Sequence, residues 1–115
     1  MAPALKTVIY PVHDLDQAKS LFRRLLAGVD PVMDESYYVQ FNLGGLEIGL
    51  DPNGHHKGMT APVVYWHVED IKQTVAELLE AGAEEQQAVS DVGGGRLLAT
   101  LTDADGNTIG LIQPV

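Results

Sequence analysis

The chain has 115 residues, of which 45% are hydrophobic, and it contains no cysteine. This length predicts one domain with a modest core, and the lack of cysteine excludes a disulfide framework and a thiol nucleophile. Sixteen acidic residues against seven basic ones give a formal net charge of −9. That charge argues against nucleic acid and anionic membranes as partners. No apolar run reaches the roughly 20 residues of a membrane span and the start shows no leader pattern, so we expect a cytoplasmic protein.

The first predicted elements are a strand over residues 7–12 and a helix that begins after Asp14. Asp14 is a suitable N-cap, and Gln17 three positions later completes a pair like that of a capping box. Five apolar residues then recur at the spacing of one helical face, which predicts that they are buried against a sheet. Gly28 predicts the end of this helix. The five apolar residues are Ala18, Leu21, Phe22, Leu25 and Leu26.

Residues 37–43 alternate between polar and apolar side chains, which predicts a strand with one polar face. Gly44-Gly45 predicts a hairpin, and the return strand covers residues 46–50. Residues 52–62 contain two glycines and two prolines, so we predict that they form a connector. The polar face of the alternating strand carries Tyr38, Gln40 and Asn42.

The second half of the chain repeats this order. Residues 63–68 predict a strand, Asp70 predicts an N-cap, and Gly82 predicts the end of the second helix. Strands follow over residues 96–102 and 108–113, with a turn at Asp105-Gly106 between them. Because the helices gather on one sheet face, the predicted class is α+β. The second helix is expected to direct Ile71, Val75, Leu78 and Leu79 inward.

Each half closes on the same short motif, since Ile48-Gly49-Leu50 returns as residues 109–111. A repeat of half the chain length indicates a duplicated unit. The doubled βαβββ order, the two Asp-led helix entries and the final hairpin over residues 101–111 resemble the vicinal oxygen chelate superfamily. This superfamily includes glyoxalase I, extradiol dioxygenases and bleomycin-resistance proteins. The resemblance covers almost the whole chain.

The resemblance implies one domain of two tandem βαβββ modules, about residues 1–58 and 59–115. Their curved mixed sheets would carry the helices on the outer face and enclose a cleft. It also implies a homodimer. Whether the cleft lies within one chain or is shared between subunits stays open.

Metal enzymes of this superfamily hold their ion through the opening and closing strand of each copy. Carried over by the strand motifs, these positions fall on Thr7, Gly49, Val63 and Gly110. A divalent catalytic ion needs three or more N, O or S donors, and these four residues offer only one weak hydroxyl. The sequence therefore predicts a metal-free member that has no cofactor and no catalytic residues.

Strand alternation places further side chains on the same face as those four positions. Glu47 offers a carboxylate to a cationic ligand, and the tyrosines offer stacking surfaces to a planar one. The same alternation turns a second set toward the helices: Ile48, Leu50, Val64, Trp66, Ile109 and Leu111. The predicted ligand-binding residues are Thr7, Tyr38, Gln40, Glu47, Asp51, Tyr65, His67 and Thr100.

These residues predict a small-molecule-binding protein of the glyoxalase/bleomycin-resistance type, which sequesters a cationic or aromatic compound. The alternative is a glyoxalase-like lyase or isomerase with a non-standard site. That enzyme would use Glu47 and His67 as an acid–base pair, or a displaced metal. The partners expected are a small-molecule ligand and a second copy of the chain, without nucleic acid or membrane.

Overall fold

The computed structural model describes residues 3–115; Met1 and Ala2, the start of the predicted first module, lie outside the described residues. Within residues 3–115 there are eight strands, two α-helices and one 3-10 helix, so the predicted α+β class is confirmed. The elements are β1 Ala4–Pro11, α1 Leu15–Leu25, β2 Met33–Glu35, β3 Tyr38–Leu43, β4 Leu46–Asp51, the 3-10 helix Gly54–Lys57, β5 Val63–His67, α2 Ile71–Glu80, β6 Glu84–Asp91, β7 Leu97–Thr102 and β8 Thr108–Gln113. Neither α-helix of this part of the chain is long and apolar enough to cross a bilayer.

The chain divides into two compact units. The first unit covers residues 7–63, and the second covers residues 64–115 together with residues 3–6. In the first unit the strand order is β2-β3-β4-β1, with β1 parallel to β4 and the other pairs antiparallel. In the second unit the order is β5-β8-β7-β6, with β5 parallel to β8. Each half of the chain therefore reads strand, helix and three strands, which is the predicted βαβββ order.

Both helices begin at the predicted aspartate caps. The Asp14 carboxylate accepts the Gln17 backbone N–H at 3.0 Å, and Asp70 accepts that of Gln73 at 3.1 Å. The Gln113 side chain also accepts the backbone N–H of Ile71 at 2.9 Å. These bonds satisfy donors that a helix N-terminus leaves without an intrahelical partner.

The two helices end on similar turns but place different residues in the left-handed conformation. After α1, the Gly28 N–H donates to the Arg23 carbonyl at 2.8 Å, and Ala27 holds a φ of 58°. After α2 the same hydrogen-bond pattern recurs, but the left-handed residue is Gly82, with a φ of 110°. This conformation costs a residue with a Cβ about 1–2 kcal/mol. Helix α1 therefore ends on a strained alanine where α2 ends on an unstrained glycine.

The core of the first unit lies between α1 and the sheet, with Phe22 buried in it. Ala18 and Leu26 are half-buried against it, as predicted. However, Leu21 and Leu25 are 62% and 71% exposed. The prediction that these two leucines are buried is wrong, because the buried stripe of α1 is narrower than the apolar pattern and leaves both on its flank.

The core of the second unit joins α2 to its sheet, and three residues predicted to point inward there are exposed. Ile71 and Val75 are buried and Leu78 is half-buried, but Leu79 is 42% exposed. Val64 and Trp66, predicted to face a helix, are exposed and lie outside the core cluster. The main contacts of α2 are with β6, β7 and β8, and the two β5 side chains keep exposed surface.

Strands β2 and β6 were not predicted from the sequence. Strand β2 has only three residues, and β6 opens with the polar run Glu84-Glu85-Gln86-Gln87. Both stand at the outer end of their strand order and are mostly exposed, so neither carries the apolar alternation that marks a strand with one buried face.

The hairpin between β7 and β8 closes on Asp103. Its carboxylate accepts the backbone N–H groups of Asp105 and Asn107 at 2.9 and 2.8 Å, and the Asn107 side-chain amide at 2.9 Å. These hydrogen bonds hold the pKa of Asp103 below its ordinary value of 3.8. The bond from the Asn107 side chain has the largest effect, followed by the bond from the Asn107 backbone. The predicted turn at Asp105-Gly106 is confirmed.

Candidate functional site

Each sheet has one face covered by its helix and a second face, which we call the helix-free face. In the first unit Thr7 pairs with Glu47 across parallel strands, and Glu47 pairs with Asn42. In the next row Gly49 pairs with Gln40. Residues paired in register point to the same side of a sheet, and these side chains alternate with the core residues. The helix-free face of this unit therefore brings together the polar residues predicted from β1, β3 and β4.

A half-buried carboxylate lies in the middle of this group. The Thr7 hydroxyl donates to Glu47 Oε1 at 2.8 Å, and Thr7 is 1% exposed. On β3 the Gln40 amide donates to the Asn42 side-chain oxygen at 2.9 Å. The threonine orients one carboxylate oxygen, and a carboxylate partly removed from water favours hydrogen-bond donors and cations.

The side chain of Tyr38 lies directly over Gly49. A Cβ built on Gly49 would come within 2.5 Å of Tyr38 Cζ, which is far inside any real contact. The backbone of Gly49 is not in the left-handed region, so space rather than conformation requires glycine here. Tyr38 is half-buried. An aromatic ring thus fills the volume into which a longer residue at position 49 would extend.

Asp51, the last predicted residue of the first unit, is held by its own connector. Its carboxylate accepts the Asn53 backbone N–H at 2.8 Å and the Lys57 ammonium at 2.9 Å. Asp51 is 5% exposed. These bonds anchor the 3-10 helix to the end of β4.

The second unit contains an equivalent arrangement. Tyr65 pairs with Gly110, Gly110 pairs with Thr100, and Thr100 pairs with Gln87 of β6. A Cβ on Gly110 would lie 2.7 Å from both Cγ and Cε1 of Tyr65. The Thr100 hydroxyl donates to the Gln87 side-chain oxygen at 3.3 Å. Tyr65 and Thr100 are 3% and 2% exposed.

His67 lies two residues beyond Tyr65 on the same face. It pairs with Ile112, which pairs in turn with Leu98. His67 is half-buried, whereas Ile112 is 1% exposed. Five predicted site residues therefore fall in the first unit, and His67, Tyr65 and Thr100 fall in the second.

The residues at the implied metal positions do not fit a metal ion. Gly49 and Gly110 have no side-chain donor, and tyrosine rings occupy the space in front of both. Val63 is apolar, and the Thr7 hydroxyl is bonded to Glu47. Among residues 3–115 no three His, Cys, Asp or Glu side chains lie together as a metal-binding group. A divalent ion requires at least three donors, so this donor set does not suit one.

Some contributing residues were not predicted as site residues. Asn42 follows from the same alternation that identified Tyr38 and Gln40, so its signal was present. Gln87 gave no signal, because it stands on a strand that the sequence did not reveal. The stacking of His13 on His55, with ring centroids 3.9 Å apart and planes 4° apart, joins the segment between β1 and α1 to the 3-10 helix.

Two βαβββ units, each with a helix on one sheet face and a polar, glycine-floored patch on the other, define the structural class. Residues 4–111 match the sequence profile of the Glyoxalase/Bleomycin resistance protein/Dioxygenase superfamily. The chain belongs to this superfamily. Among curated proteins, none matches the sequence.

Similar solved structures share the fold at low sequence identity. A glyoxalase/bleomycin resistance protein/dioxygenase superfamily member from Vibrio splendidus 12B01 is 16% identical, with a TM-score of 0.72 over 99% of this chain and 100% of that one. Methylmalonyl-CoA epimerase from Mycobacterium tuberculosis is 17% identical, with a TM-score of 0.70 over 96% and 87%. A structure described as NAD-dependent benzaldehyde dehydrogenase from Legionella pneumophila is 12% identical, with a TM-score of 0.77 over 95% and 98%. At these identities the likeness concerns the fold alone.

Proposed function

We propose that the protein binds a small molecule without a metal ion, as a member of the metal-free branch of its superfamily that sequesters a cationic or aromatic compound. The observation that carries this proposal is the placement of tyrosines on glycines. At Gly49 and Gly110, aromatic rings of Tyr38 and Tyr65 stand where a metal enzyme needs donor side chains. Neither ring offers metal coordination there, and the half-buried Tyr38 ring offers a stacking surface instead.

The first unit supplies the groups that a ligand would contact. Tyr38, Gln40 and Glu47 are half-buried, so each keeps accessible surface. In this proposal Glu47 is the counter-ion, the Tyr38 ring stacks on the ligand, and the Gln40 amide adds a hydrogen bond. Thr7 is fully buried and bonded to Glu47, so it positions the carboxylate rather than touching the ligand.

In the second unit, exposure likewise distinguishes the residue that would touch the ligand from those that stabilise the sheet face. His67 is half-buried and is the residue there that we assign to ligand contact. Tyr65 and Thr100 are almost inaccessible, so they support the face from within. Asp51 has its carboxylate engaged by the connector, and we assign it a supporting role as well.

A thermal-shift panel of cationic aromatic, neutral aromatic and anionic compounds tests this function. We expect a cationic aromatic class to raise Tm; a ligand at one hundred times its Kd stabilises by about 2.7 kcal/mol. Glu47→Gln should abolish the gain from cationic members and keep part of the gain from neutral ones. Glu85→Gln, an exposed residue of β6, is the matched control. Stabilisation by anions alone, or an equal loss in both variants, would contradict the assignment of Glu47.

The glyoxalase-like lyase or isomerase is the second candidate, and the buried hydrogen bond between Thr7 and Glu47 is the feature that favours it. An oriented, half-buried carboxylate is a reasonable general base. The epimerase from M. tuberculosis has a similar fold and is an isomerase by name. Elemental analysis of protein purified without chelators tests the metal-dependent form of this candidate, because one bound divalent ion per chain would overturn the metal-free proposal.

A further inference from the structure

The Asn42 side chain stands beside Glu47 in the first unit. It pairs with Glu47 across the antiparallel strands β3 and β4, and Thr7 pairs with Glu47 from β1. Directly opposite residues of antiparallel strands have Cβ atoms about 4.5–5.5 Å apart. Asn42 is exposed, whereas Thr7 is buried. Of the two neighbours of Glu47 in this row, Asn42 is therefore the one that a ligand can reach.

A hydrogen bond from the same strand fixes the orientation of the Asn42 amide. The Gln40 side-chain nitrogen donates to Asn42 Oδ1 at 2.9 Å. The amide group is planar and carries its oxygen and nitrogen on different sides of one carbon, so the Asn42 nitrogen points away from Gln40. Within residues 3–115 the Asn42 nitrogen donates to no other group. Asn42 thus keeps its N–H donors available next to the Glu47 carboxylate.

This row offers a ligand both an acceptor and a donor. The Glu47 carboxylate favours a cation with N–H groups, and the Asn42 amide can donate to a carbonyl oxygen. Because the two side chains are direct neighbours, a ligand satisfies both when its ammonium and its carbonyl stand on adjoining carbons. The carbonyl must be uncharged, because Glu47 and a chain with a net charge of −9 would repel a second carboxylate.

We propose that the ligand of the first unit is a protonated amine that carries an aromatic ring and an uncharged carbonyl next to its ammonium, as an amino amide does, and that Asn42 selects it by donating to that carbonyl. The inference rests on the proposed function, which assigns the ammonium to Glu47 and the ring to Tyr38. Gln40 also positions Asn42, since its hydrogen bond orients the amide. Asn42 therefore distinguishes ligands that have the same ring and the same positive charge.

Three probes that share a phenyl ring and an ammonium test this selection: phenethylamine, phenylalaninamide and phenylalanine. Their dissociation constants are measured by NMR titration at a slightly acidic pH, at which all three amines are protonated. Phenylalaninamide should bind about three- to tenfold more tightly than phenethylamine, which is the range expected for one hydrogen bond. Phenylalanine should bind more weakly than phenylalaninamide, because its carboxylate would lie near Glu47.

Variants test whether Asn42 is the cause of the preference. Asn42→Ala should reduce the affinity ratio of phenylalaninamide to phenethylamine to about one, because it removes the donor. Gln40→Glu should also reduce this ratio, because the new carboxylate accepts from Asn42 and turns its amide over, while the added charge acts on both probes alike. Glu47→Gln should weaken both probes together. Asn53→Ala, at an exposed asparagine whose side chain makes no capping bond, is the matched control and should keep the wild-type ratio.

The outcomes separate this inference from the function on which it rests. Equal affinities for phenylalaninamide and phenethylamine, both lowered by Glu47→Gln, would overturn the role of Asn42 and leave the proposed function standing. Binding of neither probe would overturn both. A preference for phenylalaninamide that survives Asn42→Ala, or tighter binding of phenylalanine, would also overturn the inference. Circular dichroism verifies that each variant is folded.

Discussion

Gly110→Ala adds one methyl group at a place that the Tyr65 ring already occupies. The new Cβ would stand 2.7 Å from both Cγ and Cε1 of the ring. Ordinary carbon contacts are about 3.5–4.0 Å, so the ring must move by close to 1 Å. Tyr65 is 3% exposed, and Cγ is the ring atom nearest the backbone, so rotation of the side chain does not relieve the clash.

The expected cost follows from two opposed effects. Overpacking a well-packed site costs about 1–3 kcal/mol. Replacing a strand glycine with alanine returns about 0.5–1 kcal/mol, because the unfolded chain loses freedom. The clash is with rigid atoms of a buried ring, so the upper part of the overpacking range applies and we expect Gly110→Ala to lower the free energy of unfolding by about 1–2.5 kcal/mol. Each 1 kcal/mol corresponds to about 4 °C in Tm for a domain of this size, so Tm should fall by about 4–10 °C.

Urea unfolding of a double-mutant cycle measures whether the tyrosine is the cause. In a Tyr65→Ala background, Gly110→Ala should become neutral or stabilising by up to about 1 kcal/mol. Gly49→Ala is the matched comparison, since it meets the far end of the half-buried Tyr38 side chain rather than the ring atom nearest the backbone. Its cost should be smaller than that of Gly110→Ala. If Gly110→Ala costs the same with and without the Tyr65 ring, the tyrosine does not determine the need for glycine.

Three further predictions concern stability. Ala27→Gly should raise the free energy of unfolding by about 0.5–1 kcal/mol in urea unfolding, because it relieves a left-handed alanine. Gly82→Ala at the matching turn should lower the free energy of unfolding. If both variants changed it in the same direction, this account of the two turns would be contradicted. The hydrogen bonds to Asp103 lower its pKa, so their contribution is complete above pH 3.8 and is lost as pH falls through the lower folded value. The stability difference between wild type and Asp103→Asn should therefore shrink on acidification. A difference independent of pH would show that it does not come from hydrogen bonds to the ionised carboxylate. Asp51→Ala removes the acceptor of the Asn53 N–H and of the Lys57 ammonium and should cost about 1–2 kcal/mol in the same unfolding assay. No measurable loss would show that the carboxylate does not anchor the connector.

Much of the fold followed from local signals. The capping aspartates predicted both helix starts, because an N-cap requires only a side-chain oxygen and an N–H three residues away. Alternation predicted the helix-free face in the first unit, because a period of two fixes the side to which each residue of a strand points. The repeat of Ile-Gly-Leu predicted two equivalent units. In these cases the deciding contacts lie within one element or between close neighbours.

Burial was decided only by tertiary structure. Leu21, Leu25 and Leu79 have the spacing of buried residues, yet each lies on a helix flank that no strand of its own unit covers. Trp66 is exposed because α2 packs over β6, β7 and β8 rather than β5. A periodic pattern gives the direction of a side chain, but it contains no information about how wide a stripe the neighbouring element covers.

The features of the candidate site were also determined partly by the sequence and partly by the tertiary structure. The sequence by itself determined that Gly49 and Gly110 supply no metal ligand, since that depends only on residue type. It also determined that Tyr38, Gln40 and Glu47 share a face. Only the tertiary structure placed tyrosine rings on both glycines, bonded Thr7 to Glu47 and engaged Asp51 with Lys57. These contacts join residues from different elements at distances of a few ångströms, and they depend on strand register and rotamers that exist only once the chain has packed.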